Sequence, residues 1–206
     1  MGLRTFVRLN IAIIGSGPRV APFAEKLAKL GHIVLIGLDE KEDDEVLISS
    51  DIENIHFESI EDAAAQADII YLATPADKVR QVAYLLGDVR DKVIVDSSAN
   101  IDPKPKEYVA TLNAVMAITG AHQIVKTYFF APEFDAREFG DIFFAGSCKK
   151  TKALAMSVAN SVGFSNTYDF GDIETVPLLE DMARCWYNLA ITQKMGEHIT
   201  FKIVKR

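Results

Sequence analysis

Residues 8–31, "RLNIAIIGSGPRVAPFAEKLAKLG", leave few folds open to this chain. The apolar run at 8–15 ends in Gly-Ser-Gly. The segment 18–31 then carries Val20, Phe23, Ala24, Leu27 and Leu30 at helical spacing and stops at Gly31. Pro22 falls in its first turns, where proline is tolerated. A second apolar run, "HIVLIG" (32–37), follows at once. Strand, glycine turn, helix and strand form a βαβ unit, which demands a parallel sheet with helices on both faces. Gly15 permits the sharp turn, and Gly17 lets a ligand approach the backbone without meeting a Cβ. The free N–H groups of such a turn and the helix dipole suit a pyrophosphate. Pro18 removes one donor but fits the first helical position. Val20 stands where a third glycine would allow close helix–strand packing, so the helix is expected to sit slightly outward or rotated.

The alternation continues. Strands are expected at 55–60, 68–75 and 92–98, with helices at 61–67 and 76–89. The second half is less regular, with strands at 123–130, 141–146 and 166–171 and a helix at 149–164 whose basic start opposes its dipole. A last helix spans 176–198. Its stripe of Leu179, Met182, Ala183, Trp186 and Ala190 packs on the rest of the protein or on a second subunit. The loop-like stretch 100–110 follows the fifth strand, where a ligand-facing loop would lie. The expected architecture is one α/β domain over 1–206: a doubly wound Rossmann-type fold, predominantly parallel, with the sheet core at about 8–170, extra strands and a C-terminal helix.

Composition excludes several function classes. A net charge of −7 argues against a nucleic-acid or anionic-membrane surface. No run approaches the roughly 20 apolar residues that span a bilayer, and the first ten residues lack the pattern of a signal peptide. Cys148 and Cys185 are two and far apart, which fits reduced thiols in a cytoplasmic protein. Cys148 and His198 lack zinc-site neighbours, and "DEKEDDE" (39–45) lacks calcium-loop spacing, so no metal is expected.

Asp39 follows Gly17 by 22 residues, close to the spacing at which an acid takes the ribose hydroxyls of NAD and repels a 2′-phosphate. It could also merely open the acidic turn. Arg19 could reach a phosphate or be solvated.

The order of "IAIIGSGPRVAPFAEKLAKLGHIVLIG", "DIIYLATPADKV", "KVIVDSSANI", "IVKTYFF", "DIFFAGSCKKTKALAMSVANSVGF" and "YDFGDIETVPLLEDMARCWYNLAI" resembles the deazaflavin-dependent NADP oxidoreductases and the related cytosolic domain of the STEAP metalloreductases. The resemblance implies that Gly15, Ser16, Gly17, Pro18 and Arg19 hold the NADP pyrophosphate. It implies that Ala73, Thr74, Pro75 and Val79 line the path to the nicotinamide, and that the loop of Ser97, Ser98 and Asn100 lies near the reacting ring. It further implies hydride transfer between the nicotinamide and a flavin-like ring, which needs two rings placed face to face and no catalytic triad. Three departures from the family pattern stand out. Leu38 and Asp39 replace the Ser-Arg that grips a 2′-phosphate, "KTYFF" (126–130) replaces "KAFNT" near the acceptor, and Val20 replaces a glycine. The resemblance thus favours NADP, and Asp39 favours NAD.

Other candidates carry blander expectations. His122 is expected to be structural or solvated. Lys126, Tyr128 and Phe129 are expected to pack in a sheet, as are Phe143 and Phe144. Trp186 and Tyr187 are expected to pack in the core. No catalytic residue stands out. The function expected is an NAD(P)-dependent oxidoreductase with a flavin, deazaflavin or other small redox acceptor, as monomer or homodimer. The alternative is a dinucleotide-binding sensor or partner module without turnover. A β-hydroxyacid- or pyrroline-carboxylate-type reductase is a third reading, against which stand the only about 30 residues after the last strand, too few for the longer helical dimerisation domain such enzymes usually carry.

Overall fold

The computed structural model describes residues 7–17, 20–39, 52–98, 110–128 and 140–205. Eight strands form one sheet: β1 (Asn10–Ile14), β2 (Ile33–Leu38), β3 (Ile55–Ser59), β4 (Ile69–Leu72), β5 (Val93–Asp96), β6 (Ile124–Thr127), β7 (Asp141–Ala145) and β8 (Asn166–Gly171). Their order is β3-β2-β1-β4-β5-β6-β7-β8. The first six are parallel. Then β7 runs antiparallel to β6, and β8 parallel to β7.

Among the described residues six α-helices cover it: α1 (Val20–Lys29), α2 (Ile60–Gln66), α3 (Val79–Leu85), α4 (Thr111–Thr119), α5 (Lys149–Val162) and α6 (Val176–Tyr187). The period-2 alternation of strands divides the core. In β1, Ile11 and Ile13 belong to the core cluster that holds residues of α1 and α5, while Ala12 and Ile14 belong to the one that holds residues of α2, α3, α4 and α6. Both faces are therefore buried, and the central strands read as unbroken apolar runs. The chain leaves β1 toward β2 but leaves β4 toward β5. Right-handed crossovers then place α1 and α3 on opposite faces, and a crevice opens between β1 and β4 at their carboxyl ends.

Several expected boundaries shift inward. The 18–31 helix is α1 at Val20–Lys29, and Val20 is itself buried at 3% exposure among Ile11, Ile13 and Phe23. The 76–89 helix shrinks to α3, preceded by a turn in which Lys78 N–H bonds Pro75 O at 3.1 Å. The C-terminal helix does not reach His198. After α6 it widens into one π turn (Asn188–Thr192), and positive φ angles at Lys194 (59°) and Gly196 (88°) end it. Its stripe packs on this chain's own sheet: Leu179, Ala183, Trp186 and Ala190 are buried. The helix α4 is an element that the sequence reading did not assign, capped by Gly120 in the left-handed region. The basic start of α5 has a structural use. Lys152 is buried and donates to Asp169 Oδ1 (2.6 Å) and Gly171 O (3.1 Å). Among the described residues no helix is long and apolar enough to cross a membrane.

Candidate functional site

The carboxyl ends of β1, β4 and β5 lie side by side. Ala73 N–H bonds Ile14 O at 2.9 Å, and Ser97 N–H bonds Leu72 O at 2.9 Å. This brings Gly15–Gly17, Ala73–Pro75 and Ser97–Ser98 along one rim. Gly15 has φ +131°, and a Cβ there would lie 2.7 Å from Ala73 O. The β1 turn therefore passes directly over the β4 turn, and only glycine fits. Among the described residues, no atom lies within 4 Å of where a Gly17 Cβ would stand. The backbone there is open to an approaching ligand, and Val20 N–H closes the turn onto Gly17 O at 2.8 Å. Ser16 shares this half-exposed turn. Pro18, Arg19 and Asn100 lie outside the described residues, as do Phe129 and almost all of the 100–110 stretch.

The other expected site residues divide by depth. Pro75 is exposed and Ala73 half-buried, whereas Thr74 is buried at 9% and Val79 at 1%. Val79 packs in the core beneath the rim. Ser97 Oγ donates to Leu72 O at 2.6 Å, and Ser98 Oγ lies 3.4 Å from Thr74 Oγ1. Asp39 stands at the end of β2, where its Oδ2 accepts from Gln81 Nε2 at 2.9 Å. It lines an open cleft of about 330 Å³ together with Leu38, Ser59, Ile60, Glu61, Tyr84, Leu85 and Gly87. Two carboxylates, Asp39 and Glu61, thus face this cleft.

Beneath the rim lies a group that sequence reasoning missed. Lys126, expected to be ordinary sheet packing, is fully buried, and its Nζ is 2.9 Å from Asp96 Oδ2 and 3.5 Å from Glu180 Oε1. It also donates to Ser98 O and Thr111 Oγ1. Asp96 Oδ2 accepts from Thr111 Oγ1 at 2.6 Å, and Asp96 Oδ1 accepts from Ser98 N–H at 2.9 Å. The signals were present. Asp96 and Lys126 interrupt apolar strands and prove to be direct neighbours in register. Glu180 falls on the apolar stripe of α6, between Val176 and Ala183.

The remaining candidates fall elsewhere. His122 is exposed just before β6, at the rim opposite the site. Tyr128 is buried with its ring 6.4 Å from that of Trp186, whose Nε1 donates to Ile199 O at 2.8 Å. Phe143 stacks on Tyr168 with centroids 5.5 Å apart, and Tyr187 packs at the edge of the same core.

Comparisons with known proteins agree with this architecture. The structure matches a candidate F420-dependent NADP reductase from Arthrobacter sp. FB24 with a TM-score of 0.81 at 21% identity, over 96% of this chain and 100% of that one. It matches a variant imine reductase from Myxococcus stipitatus in complex with NAD+ (TM-score 0.67, 18% identity, 91% of this chain and 64% of that one). It also matches a reductive aminase from Aspergillus terreus in complex with NADPH and ethyl levulinate (0.65, 15%, 89% and 62%). The chain therefore spans under two thirds of the latter two. No curated protein gives a significant match. The chain shares its fold with these three proteins. At the level of sequence, residues 10–100 match the family of coenzyme F420-dependent NADP oxidoreductases, the family whose pattern the chain resembles.

Proposed function

We propose that the chain, as one NAD(P)-binding domain over 1–206, is a nicotinamide-dependent oxidoreductase that passes hydride to or from a flavin-like, deazaflavin or other small redox acceptor. The observation that carries this reading is the open backbone at Gly17, set at the crevice where the strand order reverses. The match of residues 10–100 and the NAD+ and NADPH complexes of the structural neighbours support it. Gly15, Ser16 and Gly17, with Pro18 and Arg19, receive the pyrophosphate. Ala73, Thr74 and Pro75 border the cofactor, and Ser97 and Ser98 flank the nicotinamide. When bound, the nicotinamide supplies or accepts the hydride. The protein's part is to hold the ring and its acceptor in register and to keep water out.

The cofactor preferred is NAD(H). Asp39 and Glu61 put two acids where a 2′-phosphate would lie, and Gln81 holds the Asp39 carboxylate in place. One like-charge contact at about 4 Å costs about 4 kcal/mol at an effective dielectric near 20, before solvent screening reduces it.

Calorimetric titration with NADH and NADPH at matched ionic strength tests the reading. Wild type binds a dinucleotide, and Gly17→Val, whose Cβ meets no atom of the described residues, abolishes binding while the fold persists. Unchanged affinity in the folded variant overturns the site. A second reading, a dinucleotide-binding module without turnover, draws on "KTYFF" in place of "KAFNT" and on the burial of Lys126, Asp96 and Glu180. Assays with several flavin and deazaflavin acceptors separate the two, because the module binds cofactor and reduces nothing.

A further inference from the structure

A lysine enclosed between two carboxylates is costly to bury, and apolar residues of the same volume would often serve stability as well or better. What the Lys126 cluster does that apolar packing cannot is hold backbone. Asp96 Oδ1 accepts from the N–H of Ser98 (2.9 Å), and Lys126 Nζ donates to its carbonyl. The Ser98 hydroxyl faces Thr74 Oγ1 on the neighbouring turn (3.4 Å). Ser98 is therefore fixed at three points as the chain leaves β5, by groups that are all buried. Thr111, at the start of α4, bonds both Asp96 and Lys126, so the far end of the 97–110 connection is tied to the same cluster. Glu180 adds a second negative charge from α6.

We propose that Lys126 is a positioning residue for the nicotinamide end of the site. Acting with Asp96, it presets the Ser97–Ser98 turn so that the ring meets a formed surface. This inference rests on the dinucleotide reading above. The charge of Lys126 never touches the cofactor. It acts through Ser98, and preorganisation of this kind saves the ordering cost at the moment of binding.

The test compares NADH, NADPH and ADP-ribose, which lacks the nicotinamide, by calorimetry. In Lys126→Met, affinity for the better-bound of NADH and NADPH falls at least about tenfold relative to ADP-ribose, the weight of one hydrogen bond to a charged group. The fluorescence of the bound reduced nicotinamide shifts with it. Lys152→Met removes another buried, ion-paired lysine far from the rim and leaves the ratio between ligands as in wild type. Asp96→Asn conserves shape while weakening the clamp, and gives the same selective loss if Lys126→Met does not fold. In wild type, hydrogen exchange finds the Ser98 amide protected before any ligand is added. Equal losses for NADH and ADP-ribose, a selective loss in Lys152→Met, or strong new Ser98 protection on adding NADH each overturns the proposal. Binding of ADP-ribose with no nicotinamide-dependent change in any variant sinks the positioning role alone. A wild type that binds none of the three ligands sinks the dinucleotide reading itself.

Discussion

The two halves of this sheet solve different problems. From β1 to β5 every strand is parallel, the central strands are buried on both faces, and the candidate site lies along a rim at their carboxyl ends. From β6 to β8 the direction reverses, α6 caps one face, and the chemistry lies inside: Lys126 and Glu180 are buried there, and Lys152 is buried beneath the β8 turn. In the proposed reading the first half presents a surface for a ligand, and the second half stiffens that surface from behind. The difference suggests that stability and cofactor recognition can be perturbed separately.

The strongest way to break the second half is Trp186→Ala. It empties a buried site on α6 and removes the donor to Ile199 O, so it should cost about 3–5 kcal/mol. Equilibrium denaturation measures this, and a melting temperature that stays put counts against the role of α6. Gly15→Ala does the corresponding damage in the first half. A Cβ 2.7 Å from Ala73 O, at φ +131°, should cost about 1–3 kcal/mol and loosen dinucleotide binding as well. Loss of stability without loss of binding would separate the β1 turn from the site.

Charge reversal at the cleft sharpens the comparison without touching stability. Leu38→Ser with Asp39→Arg should move the NADPH-to-NADH affinity ratio by about tenfold or more toward NADPH, worth about 1.4 kcal/mol. If the double variant gains nothing for NADPH, Asp39 does not face the ribose.

The smallest effect concerns pH. His32 Nδ1 accepts from Leu9 N–H at 3.2 Å, and burial holds its pKa below the ordinary histidine value. The neutral ring is therefore the folded form. Its contribution is present above the unfolded pKa, near 6.5, and fades as pH falls from there through the folded value. His32→Gln should flatten the stability loss between about pH 7.5 and 5.5. An identical slope in both proteins would deny His32 this part.

The same division decided what could be read from sequence. Apolar runs located β1, β2, β4 and β5 within a few residues, because those strands are buried on both faces, whereas β3 lies at the sheet edge with His56 and Phe57 exposed. The helix α4 escaped because it follows a Pro- and Lys-rich stretch that reads as loop. Gly15 and Gly17 were legible from their types, since a turn below a Rossmann helix has few alternatives. The cluster at Lys126 was not, because its members come from β5, α4, β6 and α6, far apart in the chain. A charged residue inside an apolar strand carries no label for its partner. Only the register that sets Asp96 beside Lys126, and the stripe that turns Glu180 inward, supplies one.

The reversal between β6 and β7 also divides evolutionary freedom. Because β7 and β8 run against the other strands, the turns that leave them at Ser147 and Asp172 emerge on the rim away from Gly15. Under the proposed function, changes in those turns do not have to be reconciled with a dinucleotide. A lineage can therefore lengthen or recharge that edge, and acquire new contacts there, while the cofactor rim stays as it is.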